Sequence, residues 1–169
     1  MNTFFLSVRV LHVLFGAIWL GAAVFLTFLL MPAMRQAGPA GGKVVQVLGR
    51  RIPAFIASIS GLTVLTGLWL YWHFTDGFDP GLSSTMGGRV FGAGGVLGLA
   101  AAIIGGSVVG RNMKHVVALL DQMDRTEPAA RAALMDRLAQ HRHKAMVAGR
   151  IASVLLIFTI MLMALGHYV

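Results

Sequence analysis

One apolar run near the start of the chain limits what the protein can fold into. Val10–Met31 reads VLHVLFGAIWLGAAVFLTFLLM, and His12 is its one ionisable side chain. About 20 residues at 1.5 Å each cross the hydrocarbon core of a bilayer, so the run predicts a membrane-spanning helix. A histidine inside such a helix is costly unless it faces protein, water or a ligand, which makes His12 a candidate functional residue. Phe15, Gly16 and Trp19 follow it at helical spacing.

Three more apolar runs extend this prediction to the whole chain, and they are Ile52–Trp72, Val90–Val109 and Met146–Leu165. Charged residues make up 12% of the chain, against about 25% in a soluble domain. We therefore expect an all-α fold, an integral membrane four-helix antiparallel bundle forming a single domain over residues 1–169. The spans are predicted at about residues 6–31, 52–73, 89–113 and 145–167, with an amphipathic cytoplasmic segment at about 113–145. Spans three and four should extend through that segment into a cytoplasmic hairpin.

The basic residues are concentrated in two connections, and their positions predict the topology. Twelve of the 14 Lys and Arg lie there: Arg35, Lys43, Arg50 and Arg51 in the first, and Arg111, Lys114, Arg125, Arg131, Arg137, Arg142, Lys144 and Arg150 in the second. The middle connection, residues 74–88, holds Asp76 and Asp79 and no basic residue. The positive-inside rule then places both basic connections in the cytoplasm and both termini outside a bacterial inner membrane. The net charge of +8 is thus explained by topology, and we expect a lipid bilayer rather than nucleic acid as the partner.

Three histidines are predicted to share one level at the outer face. Measured from the middle of each run, His12 lies about 13 Å out, His73 about 16 Å and His167 about 15–17 Å. Arg9 and Arg89 belong to the same level. For His73 and His167 the alternative is an ordinary interfacial residue, and for His12 it is a buried histidine hydrogen-bonded to a neighbouring helix.

A b-type haem explains this arrangement economically. Haem needs one or two neutral imidazoles from facing helices, for which His12, His73 and His167 are the metal-ligand candidates. Gly16 gives room for a flat ring, while Phe15 and Trp19 would line its edge. Arg9 and Arg89 would pair with its propionates. The leading prediction is a small haem-binding membrane protein that moves electrons near the outer face, to or from a quinone or a redox partner protein.

Other patterns leave further alternatives open. His115 and His141 could form a second, inner site, although a solvated basic helix also explains them. Met31 and Met34, three residues apart, could offer a soft site for Cu(I). The glycine pairs Gly94/Gly98 and Gly106/Gly110 permit close helix approach, as tight packing within the bundle, a homodimer face or a flat surface for a planar cofactor.

Two absences narrow the chemistry. The chain has no cysteine, which excludes disulfides, thiolate metal sites and redox thiols. None of the four apolar runs contains Asp or Glu, so carboxylate acid–base chemistry within the membrane is unsupported. Any catalysis would have to be carried by a cofactor.

The run LHVLFGAIWLGAAVF, with six residues between His12 and Trp19, resembles the first helix of two related membrane families. These are the copper resistance protein D family and the HemJ-type protoporphyrinogen oxidases. Gly49–Gly67, GRRIPAFIASISGLTVLTG, is similar to the entry to their second helix. The resemblance implies that His12 is a haem-ligand or copper-site residue. It keeps a copper-handling membrane protein and a protoporphyrinogen oxidase as alternatives, beside a structural or assembly subunit without a cofactor.

Overall fold

Four long helices make up most of the chain. The structure, a computed structural model, describes residues 3–166 and 168–169. The long helices are α1 (Thr3–Gln36), α2 (Gly38–Phe74), α3 (Met86–Met123) and α4 (Ala132–Leu165). Each is long and apolar enough to cross a membrane, and the part of the chain that the structure describes contains no strand. The prediction of an all-α chain with four membrane-length helices is therefore confirmed.

The helices are longer than a bilayer requires. They run for 34 to 38 residues, whereas about 20 suffice to cross the hydrocarbon core. The additional turns extend α2, α3 and α4 beyond their apolar runs at the end of the molecule that carries Arg50 and Arg142, which we call the basic end. The opposite end, where Thr3 and Leu165 lie, is called the terminal end. Two helices contain a π-helical segment, at Phe25–Leu30 in α1 and Gly105–Gly110 in α3.

The connection between α1 and α2 is a single sharp turn. Ala37 separates the two helices, and Gly38 then adopts a φ of +58°, which glycine reaches without steric cost. Gly41 follows so close to the Met34 carbonyl that any side chain there would collide with it. The proline and glycine content of this segment predicts a turn, and the structure confines that turn to two residues.

At the terminal end, α2 and α3 are joined through a short helix, Pro80–Ser83. Side-chain oxygens satisfy helix N-termini there: Asp79 Oδ1 accepts from the Leu82 N–H at 2.9 Å, and Thr85 Oγ1 accepts from the Gly88 N–H at 3.1 Å. These caps replace intrahelical partners that the first turn of a helix lacks. A 3₁₀ turn, Pro128–Ala130, connects α3 to α4 at the basic end.

The main buried cluster contains residues from every long helix. Trp19 of α1, Ile59 of α2, Ala101 of α3 and Leu156 of α4 belong to it, together with Ala152. Trp19 is only 5% exposed. The four long helices therefore share one core near the middle of their apolar runs.

A second buried cluster lies at the basic end. It joins Val45 of α2, Val116 and Leu119 of α3, and Leu134 and Leu138 of α4. Val116 is completely buried. This cluster packs the polar ends of α3 and α4 against each other and against the start of α2, which gives the basic end a hydrophobic core of its own.

Large apolar side chains cover much of the outer surface. Leu65 and Val96, for example, are 66% and 67% exposed on α2 and α3. So many exposed apolar side chains are unfavourable in water, where soluble monomers rarely show apolar patches beyond a few hundred Å². The surface is instead compatible with lipid, which supports a membrane protein.

The glycines of α3 differ in what they contact. A Cβ atom at Gly94 would lie 3.0 Å from Met163 Cε and 3.4 Å from Leu162 Cβ, and one at Gly98 would lie 3.4 Å from Thr159 Cγ2. These contacts are with α4 of the same chain, so this pair allows close packing inside the molecule. At Gly106, in contrast, no described atom lies within 4 Å of the Cβ position.

We expect Gly94→Leu to destabilise the protein. Adding a side chain at a closely packed helix contact costs about 1–3 kcal/mol, because α4 must move away. The measurement is the thermal unfolding midpoint of the purified protein in detergent. Gly95→Leu is the matched control, since its Cβ position has no neighbour within 4 Å. An equal response of the two variants would contradict the packing assigned to Gly94.

Candidate functional site

His12 lies between α1 and α2, where its ring is bonded to α2. Its Nδ1 atom is 2.9 Å from the Thr63 carbonyl oxygen and 3.2 Å from Thr66 Oγ1. The side chain is partly buried. One of its two ring nitrogens is therefore hydrogen-bonded to a neighbouring helix, as in the predicted alternative for His12.

The Thr63 contact determines which nitrogen of His12 carries the proton. A carbonyl oxygen can only accept, so Nδ1 must be the N–H donor. In the neutral ring, Nε2 then holds a free lone pair. Metal-ligating histidines are commonly oriented in this way, with one N–H donated to a backbone carbonyl and the other nitrogen on the metal.

Gly67 provides the space that the His12 ring occupies. A Cβ atom at Gly67 would lie 2.6 Å from His12 Cε1 and 3.2 Å from its Nδ1. Any larger residue would displace the ring from the Thr63 carbonyl. The position of His12 thus depends on a glycine one helical turn beyond the carbonyl to which it is bonded.

The other predicted residues of the first helix pack against α2 and the core. Gly16 faces α2, where a Cβ atom would lie 3.7 Å from Thr63 Cγ2. Phe15 packs on the main buried cluster, and Trp19 belongs to it. Trp19 therefore has a structural role in joining the four helices, in addition to any contact with a cofactor.

His73 lies farther toward the terminal end, in an aromatic cluster. Its ring stacks on Trp69 with a centroid separation of 5.3 Å and an interplanar angle of 5°, and it lies 5.2 Å from the ring of Phe5. His73 follows Thr66 by seven residues, a rise of about 10.5 Å along α2. The structure therefore does not bring His12 and His73 together, and their predicted shared iron stays a prediction.

The structure gives less detail for the remaining predicted residues of the terminal end. Arg9 and Arg89 are exposed near the terminal ends of α1 and α3. His167 lies outside the described residues, so its predicted role as a ligand is not addressed by the structure.

At the basic end, α3 and α4 bring two histidines into contact. The rings of His115 and His141 have centroids 4.7 Å apart and an interplanar angle of 29°. His141 also bonds through Nδ1 to Asn112 Oδ1 at 2.8 Å. The third histidine of this end, His143, is exposed. The two histidines of the possible inner site therefore lie in contact, and the site itself stays a prediction.

Burial and nearby positive charge act on His141 together. This residue precedes the apolar run of α4, which begins at Met146, so it lies outside the predicted span. Partial burial, followed by the neighbouring His115, Lys144 and Arg137, lowers the pKa of His141 below its ordinary value. The neutral imidazole is therefore favoured at neutral pH.

Several residues that hold these histidines are not predicted from the sequence, because they are not typical metal or haem ligands. Thr63, Thr66 and Gly67 recur at i, i+3 and i+4 in an apolar run, a spacing that places them on one helix face. A polar stripe of this kind opposite a histidine is a usable signal. Asn112, in contrast, lies 29 residues from His141, and only the packing of α3 on α4 connects them.

A complete metal-binding set is absent from residues 3–166 and 168–169: no group of three or more His, Asp or Glu side chains is placed around a common point.

Comparison of the chain with models of protein families, with characterised proteins and with solved structures gives no match in any of the three.

We expect Lys144→Gln to raise the pKa of His141. Each neighbouring positive charge disfavours the imidazolium, so removing one shifts the titration of the ring to higher pH. The pKa is measured from the pH dependence of the His141 ring signals in NMR spectra. Lys43→Gln, a change of the same charge on α2, is the control and should leave the titration unchanged. A lower pKa in Lys144→Gln would contradict the charge effect.

Proposed function

We propose that the protein is a small membrane haem-binding protein in which His12 would hold the iron of a b-type haem. The observation that carries this proposal is the hydrogen bond from His12 Nδ1 to the Thr63 carbonyl oxygen, 2.9 Å long. It orients the ring and leaves Nε2 available to iron. When bound, haem would supply one-electron transfer.

The residues around His12 are suited to haem held by one protein ligand. Thr63 and Gly67 hold the His12 ring in place, and hydrogen bonding at Nδ1 increases the basicity of the ligating nitrogen. A porphyrin provides four nitrogens of its own, so one imidazole suffices to hold iron in many haem proteins. A bare copper ion near His12 would need more donors from the protein. This difference favours haem over copper at His12, and of the predicted second ligands His167 is the one retained in the proposal.

The surroundings of His12 support an electron-transfer role near the terminal end. Phe5, Trp69 and His73 form an aromatic cluster on the terminal side of His12, in which Trp69 follows Thr66 by less than one helical turn. Exposed Arg9 and Arg89 at the same end suit propionate groups. A quinone or a redox partner protein is the proposed electron donor or acceptor. The similarity of the first helix to the copper resistance protein D and HemJ-type families supports a haem or copper role for His12.

The membrane arrangement forms part of the proposal. The four helices constitute an antiparallel bundle in a bacterial inner membrane, with the terminal end outside and the basic end in the cytoplasm. The concentration of Lys and Arg at the basic end supports this orientation. The polar extensions of α3 and α4 then form a cytoplasmic hairpin.

His12→Ala should abolish haem binding while leaving the protein inserted in the membrane. The protein is expressed with a haem supply, purified, and assayed by its Soret absorption and by haem content per chain. His143→Ala, a change of an exposed histidine at the basic end, is the control and should retain haem. Full haem in His12→Ala, or a wild-type protein without haem, would contradict the proposal; copper in place of haem would favour the copper alternative.

A second variant separates ligation from general damage. Gly67→Ala places a Cβ where the His12 ring lies, so it should reduce haem content or shift the Soret band. Gly61→Ala, on the same helix with no described atom within 4 Å of its Cβ position, should do neither. Identical spectra for the two variants would show that the His12–Gly67 contact does not support haem binding.

The proposed orientation predicts the activity of reporter fusions. A reporter that is active only outside the inner membrane should be active when fused after Val169. The same reporter inserted at Glu127, in the connection between α3 and α4, should be inactive. The reverse pattern would overturn the orientation without affecting the ligand assignment of His12.

A further inference from the structure

The contact between His115 and His141 lies at the opposite end of the molecule from His12. It is made between α3 and α4, next to the second buried cluster, to which Leu119 and Leu138 belong. The two imidazoles are 4.7 Å apart between ring centroids. Leu119 and Leu138 fix how α3 packs on α4 there, and this packing brings the two rings together.

Asn112 determines the proton position on His141. The Asn112 side chain is 9% exposed, and its Nδ2 donates to the Val108 carbonyl oxygen at 2.8 Å. That bond identifies the other atom of the amide, Oδ1, as the acceptor. His141 Nδ1 must therefore be the donor in its 2.8 Å bond to Oδ1, and the neutral ring has its lone pair on Nε2.

A cavity of about 140 Å³ lies beside the two rings. Gln122 and Arg137 line it together with His115 and His141. Liquid water occupies about 30 Å³ per molecule, so the cavity has room for an ion with several waters. The pair thus has a defined tautomer on one ring and open space next to it.

We propose that His115 and His141 bind a divalent first-row transition-metal ion, with water and the Gln122 amide oxygen completing its coordination. Imidazole nitrogens suit zinc and its neighbours, whereas magnesium and calcium require several oxygen ligands. Zinc accepts histidine nitrogens at about 2.0–2.1 Å, which two rings 4.7 Å apart reach by modest side-chain rotation. A partner outside the metal shell that accepts the second ring N–H, as Asn112 does for His141, is typical of metal-ligating histidines.

The positive charges around the cavity allow a test of whether the bound ion is a cation or an anion. Arg137 lines the cavity and Lys144 acts on His141, so both oppose a bound cation and would favour a bound anion such as phosphate. Arg137→Gln should therefore increase the affinity for a metal ion by about threefold, from the loss of one repulsive charge several ångströms away. The same change should weaken the binding of phosphate. The direction of this effect distinguishes the two classes of ligand.

The experiment uses the full-length protein in detergent, after removal of any histidine tag. Zn²⁺ binding is measured by calorimetry, and Co²⁺ is used as a spectroscopic probe of nitrogen ligation. His115→Ala and His141→Ala should each abolish binding, and Asn112→Leu should weaken it by about 10–100-fold. His143→Ala is the matched control and should bind as the wild type does. Circular dichroism establishes that each variant remains folded.

Three results would overturn the proposal: no Zn²⁺ binding by the wild type, unchanged binding in both His115→Ala and His141→Ala, or equal loss in His143→Ala. Phosphate binding that Arg137→Gln removes, without any Zn²⁺ binding, would assign the cavity to an anion instead. Because His115 is exposed, His115→Ala should fold even if His141→Ala does not. The outcome is independent of haem binding at His12, so either proposal can fail alone.

Discussion

Hydrocarbon offers no hydrogen bonds, and this constraint governs how polar groups are placed along the four helices. Backbone groups are satisfied within each helix, which is one of only two ways to cross a bilayer. Two threonine hydroxyl groups in the apolar runs follow the same principle: Thr63 donates to the Ile59 carbonyl at 2.8 Å and Thr159 to the Leu155 carbonyl at 2.9 Å. His12 extends the principle between helices, because its N–H is satisfied by a carbonyl of α2. A ring held in this way has one nitrogen left for other chemistry.

The two histidine centres share a construction but differ in their surroundings. In each, one ring nitrogen is engaged by a fixed acceptor, a backbone carbonyl for His12 and the Asn112 amide for His141. His12 lies between α1 and α2, against Thr63, Thr66 and Gly67. The His115–His141 pair lies at the basic end, beside a small cavity that Gln122 and Arg137 also line.

Small residues determine how closely the helices approach. Gly94 and Gly98 allow α3 to pack on α4, and Gly67 allows the His12 ring to reach the carbonyl of Thr63. Gly149 does the same for α1 and α4, since a Cβ atom there would lie 3.0 Å from Thr27 Oγ1. In a membrane the attraction between helices arises mainly from such close packing, because lipid chains are as apolar as the side chains they surround. Glycine at these positions thus sets the geometry of both the core and the His12 centre.

The sequence by itself determined the helices, because apolar runs of about 20 residues have few other stable states near a membrane. It also indicated His12 as a candidate functional residue, because an ionisable side chain in an apolar run is energetically costly whatever its neighbours are. The residues that bond to or pack against the histidines could not be predicted from the sequence. Thr63 and Gly67 lie more than 50 residues from His12, and Asn112 lies 29 residues from His141. Only the register between packed helices decides which carbonyl or amide faces a ring. That register depends on summed side-chain contacts along whole helices, which local patterns do not encode.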